Sequence, residues 1–193
     1  MTPLEALADP TSKRVAVFAH PDDETLWAGG LLLRFPGAWR AVCCSIPARD
    51  PARIRDFYEA ARKLGALPSH LRYRETGKLD PFDHLDALPS LADADVIVTH
   101  GAAGEYGHIA HRRVHAVLAA RYPGRILAST YGCLVPPDLV VSLSDAEWQG
   151  KLAALKCYAG LMRWRGNRVP TWEALLDEYG SMFDLRTESY AIA

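Results

Sequence analysis

Two short stretches concentrate the residues whose chemistry stands out. The first is His20-Pro21-Asp22-Asp23-Glu24. The second runs from His100 through Glu105, Tyr106 and His108 to His111 and His115. His108 and His111 are spaced i, i+3, and His111 and His115 are spaced i, i+4, so a helix would carry them on one side. Imidazole and carboxylate are good zinc ligands, and a hydrolytic zinc centre uses three protein ligands with one position left for water. His20 and Asp23 with one histidine of the second stretch make such a set. Asp22 is then a spare carboxylate, placed to take a proton as water attacks. Each stretch also has a plainer reading. Pro, Asp and Glu break a strand and open a helix, and H-x-x-H-x-x-x-H suits a solvated helix face. Both stretches directly follow apolar runs, and that conjunction favours the metal.

Those runs are the elements that must position the site. Val15 to Ala19 and Asp95 to Thr99 are short, continuous and rich in β-branched residues, as in strands buried on both faces of a parallel sheet. Arg40 to Ile46 and Arg125 to Thr130 read as further strands, and Leu71 to Arg74 as a weak one. Helices are predicted over Glu24 to Phe35, Pro51 to Leu64, Asp83 to Leu91 and His108 to Tyr122. Another opens at the capping box of Ser144 and Glu147 and runs to about Leu161. Trp172 to Tyr179 is a candidate last helix. Strands alternating with helices predict an α/β fold with a mostly parallel sheet, in which ligands bind beyond the carboxyl ends of the strands. Both charged stretches fall at that edge.

Composition narrows the function classes. The chain has 193 residues, 49% of them hydrophobic, and a formal net charge of -1, so no global field recruits nucleic acid or an anionic membrane. No apolar run approaches the roughly 18 residues of a membrane helix. The N-terminus lacks a basic segment followed by an apolar one, so a cytoplasmic location is expected. Cys43, Cys44, Cys133 and Cys157 form no C-x-x-C pair and read as reduced core residues. Ser12, Ser45 and Ser129 lack a G-x-S-x-G context, and no phosphate-binding or dinucleotide-binding glycine loop occurs. His70 and His84 read as surface histidines in loops. Tyr158, Trp164, Trp172 and Phe183 read as core or interface rather than a sugar platform.

The segment AHPDDETLWAGG, from Ala19 to Gly30, resembles the signature of the LmbE-like deacetylases, the PIG-L superfamily. Thr99-His100-Gly101 through Glu105-Tyr106-Gly107-His108-Ile109-Ala110-His111 resembles the second signature, a T-H-G loop ending in G-H-P-D-H. The likeness spans roughly Arg14 to Leu161. It implies one domain over residues 1–193, a Rossmann-like three-layer sandwich, and a zinc-dependent hydrolase that deacetylates N-acetylglucosamine-type sugars or small sugar conjugates. By position, His20, Asp23 and His111 match the metal ligands and Asp22 the general base. His108 matches the histidine that steadies the oxyanion and protonates the leaving amine. Tyr106 matches a mobile tyrosine that reaches the carbonyl oxygen, and Arg53 a substrate-contacting arginine. His100 and His115 are expected to stand behind the ligands, with a packed or solvated helix histidine the equal alternative for His115. The same ligand types also accept iron, cobalt or nickel, and self-association is compatible with the sequence.

Two departures stand out. Ile109-Ala110 replaces the usual Pro-Asp, so His108 lacks a neighbouring acid that would favour its charged form. The loop SIPARDPARIR is shorter than the family's acid- and glycine-rich one, so the likeness carries the reaction class rather than one substrate. Three other readings remain: a metal-dependent amidase on a non-sugar N-acyl substrate, a non-catalytic metal-binding member, and a metal-free ligand-binding domain. Intact Asp22 and His108 argue against the second.

Overall fold

A computed structural model describes residues 1–47, 53–71, 74–75, 89–158, 163–164, 167–168, 176, 180 and 184–193. In chain order the elements are α1 (Pro3–Ala8), β1 (Arg14–Phe18), α2 (Asp23–Arg34), β2 (Trp39–Cys43), β3 (Ile46–Pro47), α3 (Arg53–Lys63), β4 (Ala66–His70) and β5 (Arg74–Glu75). There follow α4 (Pro89–Ala92), β6 (Val96–Thr99), α5 (Ile109–Arg121), β7 (Ile126–Ser129), β8 (Leu139–Ser142), α6 (Asp145–Leu155), β9 (Arg163–Trp164), β10 (Asn167–Arg168) and β11 (Thr187–Ile192). The main sheet has seven strands in the order β4-β2-β1-β6-β7-β11-β8. The first five run parallel, and β11 is antiparallel to both its neighbours.

β1 shows why its valine-rich run forms a central strand. Ala16 and Phe18 face one core with Leu26, Trp27 and Leu31 of α2 and Leu155 of α6. Val15 and Val17 face the other with Val114 and Leu118 of α5. Every residue of the strand is buried, so past Arg14, whose guanidinium is held by the Phe35 and Asp9 carbonyls, the run is apolar on both faces and the period-two alternation of a half-exposed strand is missing. Helices thus cover both sides, giving the expected three-layer α/β sandwich. Ser144 and Glu147 make the expected capping box, and α6 opens there.

Some boundaries differ from those the pattern suggests. The third strand is Ala66–His70 rather than Leu71–Arg74. Pro68 argues against a strand, but β4 is the sheet's edge, where a missing N–H is tolerated. His70 therefore ends a strand, with Nδ1 3.1 Å from the Tyr58 hydroxyl, and is not in a loop. The run Arg40 to Ile46 breaks after Cys43, and α6 gives way to a 3-10 turn over Lys156–Tyr158. Tyr158 is core, as expected. His84, the Trp172 to Tyr179 helix apart from Leu176, and the side chains of Trp164, Trp172 and Phe183 lie outside the described residues.

Candidate active site

The carboxyl tips of β1 and β6 are neighbours because the strands pair in parallel, Val17 opposite Thr99. Thr99 Oγ1 donates to Val17 O at 2.7 Å. The Ala19 N–H donates to His100 Nε2 at 2.9 Å, and Ser45 Oγ to Ala19 O at 2.9 Å. Both charged stretches leave this seam together.

On the first stretch, Asp22 has φ 114°, a backbone conformation that non-glycine residues avoid. It is the N-cap of α2, yet its side chain makes no capping hydrogen bond. A residue chosen only to start a helix would use that oxygen on the backbone. The carboxylate instead receives Arg53 Nη2 at 2.6 Å, and the same nitrogen donates to Pro21 O at 2.5 Å. The strained turn is held by Glu24, whose Oε2 accepts the Asp22 N–H at 3.2 Å. Glu24 Oε1 in turn accepts from the hydroxyls of Tyr158 at 2.6 Å and Thr25 at 2.5 Å.

Asp23 is the first residue of α2. Its Oδ2 accepts the His20 N–H at 2.8 Å, and its Oδ1 accepts Trp27 Nε1–H at 3.2 Å. Three atoms converge here. His20 Nδ1 lies 3.1 Å from Asp23 Oδ2 and 3.2 Å from His111 Nε2, and His111 Nε2 lies 3.3 Å from Asp23 Oδ2. A tetrahedral zinc with bonds of about 2.0 Å has ligand-to-ligand edges of about 3.3 Å. Three acceptor-capable atoms at that spacing fit such an ion. Among the described residues two further histidines crowd the site. A ring nitrogen of His108 lies within 4.8 Å of the His20 and His111 atoms, and one of His100 within 4.8 Å of Asp23 and His111.

The two adjacent carboxyls differ electrostatically. Burial pushes Asp22 up to about 6, against the pull of Arg53. Burial also opposes ionisation of Asp23, but His111 and His100 outweigh it and hold that carboxyl well below the usual range. Neighbouring acids driven apart in this way suit different jobs, one a standing anion and one a proton acceptor.

The second stretch is organised by Glu105, a residue that the sequence offers only as part of the cluster. Its Oε2 lies 2.7 Å from His111 Nδ1 and 3.0 Å from His100 Nδ1, and its Oε1 accepts the Gly101 N–H at 3.0 Å. It is 4% exposed, with φ 55°. Although burial opposes ionisation, His100 and His111 draw its carboxyl down to about 2. It is the one acid between His100 and His111. That was the available signal, since ligating imidazoles need a partner for the second nitrogen.

The other expected residues fall as follows. His100 is fully buried and stacked on His111, 3.8 Å between ring centroids. Its Nε2 is occupied by the Ala19 N–H, so it ties strand tips together. His115 Nδ1 donates to the His100 backbone oxygen at 2.9 Å and braces the loop rather than a ligand. His108 Nδ1 caps α5 by accepting the Ala110 N–H at 3.3 Å. Its ring packs edge-on against His20 at 4.7 Å and stacks on His111 at 4.5 Å. Tyr106, 41% exposed, stands over His108 and His111 at 5.7 and 5.5 Å. Arg53 is engaged with Asp22, where the likeness implies a substrate contact.

No family model matches the chain. It is 31% identical to a 1D-myo-inositol 2-acetamido-2-deoxy-alpha-D-glucopyranoside deacetylase of Corynebacterium kroppenstedtii, over 55% of this chain and 39% of that one. It is 24% identical to the protein of that name from Corynebacterium diphtheriae, over 76% and 75%. The chain thus spans well under half of the first relative and three quarters of the second. In fold it is similar to the N,N'-diacetylchitobiose deacetylase of Pyrococcus horikoshii, with a TM-score of 0.67, 19% identity and coverage of 97% and 86%. It is also similar to the 4-carboxy-2-hydroxymuconate hydratase of Pseudomonas putida, with a TM-score of 0.59, 18% identity and coverage of 92% and 93%. The sequence relatives and the shared fold support the resemblance to the LmbE-like (PIG-L) superfamily that both signatures carry.

Proposed function

We propose that the chain is a zinc-dependent hydrolase that removes the N-acetyl group of an N-acetylglucosamine-type sugar or small sugar conjugate. The observation that carries this reading is the triangle of His20 Nδ1, Asp23 Oδ2 and His111 Nε2, with the uncapped Asp22 carboxylate on the adjoining residue. Those three side chains would hold the ion. When bound, zinc polarises an amide carbonyl and makes water acidic near neutral pH. Asp22 accepts the proton of the attacking water, and Arg53 keeps its carboxylate in place and favours its ionised form. Tyr106, whose phenol burial keeps protonated, is a hydrogen-bond donor for the oxygen that gains charge. His108 serves the departing amine in its charged form, which gives up one proton and returns to the neutral ring whose Nδ1 accepts the Ala110 N–H.

The acetamido-sugar class is supported by the curated relatives, which deacetylate an acetamidoglucopyranoside. The fold also carries a hydratase, so the assay must distinguish the two reactions. We would measure metal content by elemental analysis, together with acetate and free amine released from N-acetylglucosamine, its oligomers and its inositol glycoside. About one zinc per chain with equal acetate and amine is the expected result. Zinc without either product would send the reading to other N-acyl groups. Absence of metal after reconstitution would refute it.

A further inference from the structure

The site holds two stacked, buried imidazoles with opposite employment. His111 Nε2 faces the ligand triangle. His100 Nε2 lies 3.4 Å from Asp23 Oδ2, close enough to compete for the same ion, yet it accepts the Ala19 N–H. A neutral imidazole has one N–H and one lone pair, and the partner of one nitrogen decides the state of the other. Both rings direct Nδ1 at a single oxygen, Glu105 Oε2. An ionised carboxylate only accepts hydrogen bonds, so both Nδ1 atoms carry protons; the Ala19 N–H shows the lone pair on His100 Nε2, and the neutral His111 ring has its lone pair on Nε2.

We propose that Glu105 is the positioning residue of the metal centre: by taking both Nδ1–H bonds it presents His111 Nε2 as a ligand and commits His100 Nε2 to the backbone of β1, keeping His100 out of the ligand set. This deepens the zinc reading above and rests on it.

The surroundings fix that carboxylate in place. Its other oxygen is held by the Gly101 N–H. Gly101 and Gly132 allow the loops to close on it. A Cβ on Gly132 would stand 2.1 Å from Glu105 O, and one on Gly101 would stand 2.2 Å from Ser129 O. A glycine is therefore required at each contact. The left-handed backbone of Glu105 itself is a strain that such packing sustains. A carboxylate behind a ligating histidine typically contributes about 10–100-fold in metal affinity. Here one carboxylate serves a ligand and excludes a competitor.

The test is zinc affinity of Glu105→Gln against wild type, by competition with a chromophoric chelator, with thermal unfolding of both metal-free proteins alongside. Glutamine keeps the shape but loses the charge, and its amide can present a donor to the imidazoles. The expected result is a folded variant that binds zinc about 10–100-fold more weakly. Equal affinity in a folded variant would overturn the proposal while leaving the zinc reading intact. A wild type that binds no zinc is a separate failure, that of the zinc reading. Nitrogen-15 spectra of the histidine rings in zinc-loaded wild type decide the matter even if the variant does not fold. Protons on Nδ1 of both His100 and His111 are expected. A proton on His100 Nε2, or coordination through His100, would overturn the proposal.

Discussion

Two clusters of buried charge meet α2, one against Gly30 and Leu31 further along and one at its N-terminus, and they differ in kind. At the first, Lys151 and Glu188 form an ion pair with both side chains fully buried. Lys151 Nζ donates to Glu188 Oε1 at 2.7 Å and to Leu185 O at 3.0 Å. Glu188 also accepts the N–H groups of Gly30 at 2.7 Å and Leu31 at 2.8 Å, and the Tyr190 hydroxyl at 2.9 Å. Donors and acceptors match, and the residues sit in regular helix and strand. At the strand tips, acceptor-capable atoms of His20, Asp23 and His111 face one another, and Asp22 and Glu105 have backbone conformations that cost energy. Burial of charge is common to both. Converging lone pairs on strained backbone are found only in the second, and that combination separates a site from a strut.

The sharpest way to break the contrast is at Asp22 and His111. Asp22→Asn is expected to keep zinc and lose about 10²–10⁴-fold in turnover, whereas His111→Ala loses both zinc and turnover. Elemental analysis beside the acetate assay reads the two. Full activity in Asp22→Asn would remove the general-base role.

Next in size is the strut. Lys151→Met leaves Glu188 buried without its cation, and breaking a buried pair from one side costs about 3–5 kcal/mol. For a chain of this length that lowers Tm by roughly 6–20 °C. Zinc per folded chain should not change, because no site residue touches the pair. A Lys151→Met protein that unfolds normally but fails to bind zinc would show that the two clusters are coupled.

A smaller effect is expected at Ala110, where the superfamily usually has an acid. Ala110→Asp places a carboxylate next to the cap that His108 makes. It should carry the upper limb of the pH–rate profile to higher pH by favouring charged His108. An unmoved upper limb would show that residue 110 does not act through His108.

The smallest effect lies at the surface, one helical turn from the buried pair along α6. Arg34 donates to both carboxylate oxygens of Glu147, through Nε to Oε1 and through Nη2 to Oε2, and Nη2 also reaches Ser142 O at 2.7 Å. The Arg34 hydrogen bonds draw the Glu147 carboxyl down to about 2 from an ordinary 4.5. A depressed acid stabilises the fold above its unfolded pKa, and that contribution is lost as pH falls from about 4.5 towards 2. The pair is partly exposed, so at most about 1 kcal/mol is involved. Arg34→Ala should flatten the acid limb of urea midpoints measured between pH 6 and 2.5 and leave turnover at neutral pH unchanged.

Much of this was legible in the linear chain. The valine-rich run before His20 marks a central strand because only a strand covered on both faces tolerates no polar side chain. The Ser144 to Glu147 capping box marks the start of α6 because both of its hydrogen bonds are local. That His20 and Asp23 meet a histidine of the second stretch follows from two charged stretches at the ends of apolar runs, since parallel strands bring their carboxyl tips to one edge, whereas the choice of His111 rested on the resemblance. Other features were not legible. β11 enters the sheet between β7 and β8, antiparallel to both, and nothing local in Thr187–Ile192 encodes which strands flank it. Pro68 hides β4 because its tolerance depends on the strand lying at an edge.

At the site the division is the same. Residue types and spacing determined which groups can ligate and which acid is spare. Tertiary structure alone decided that Arg53 rests on Asp22, that His115 serves a backbone carbonyl, and that Glu105 faces two imidazoles at once. Composition and spacing specify what a side chain is able to do. The hydrogen-bond partner across the strand seam chooses among those abilities, because an imidazole has two nitrogens and a carboxylate two oxygens, and only their neighbours in space distinguish them.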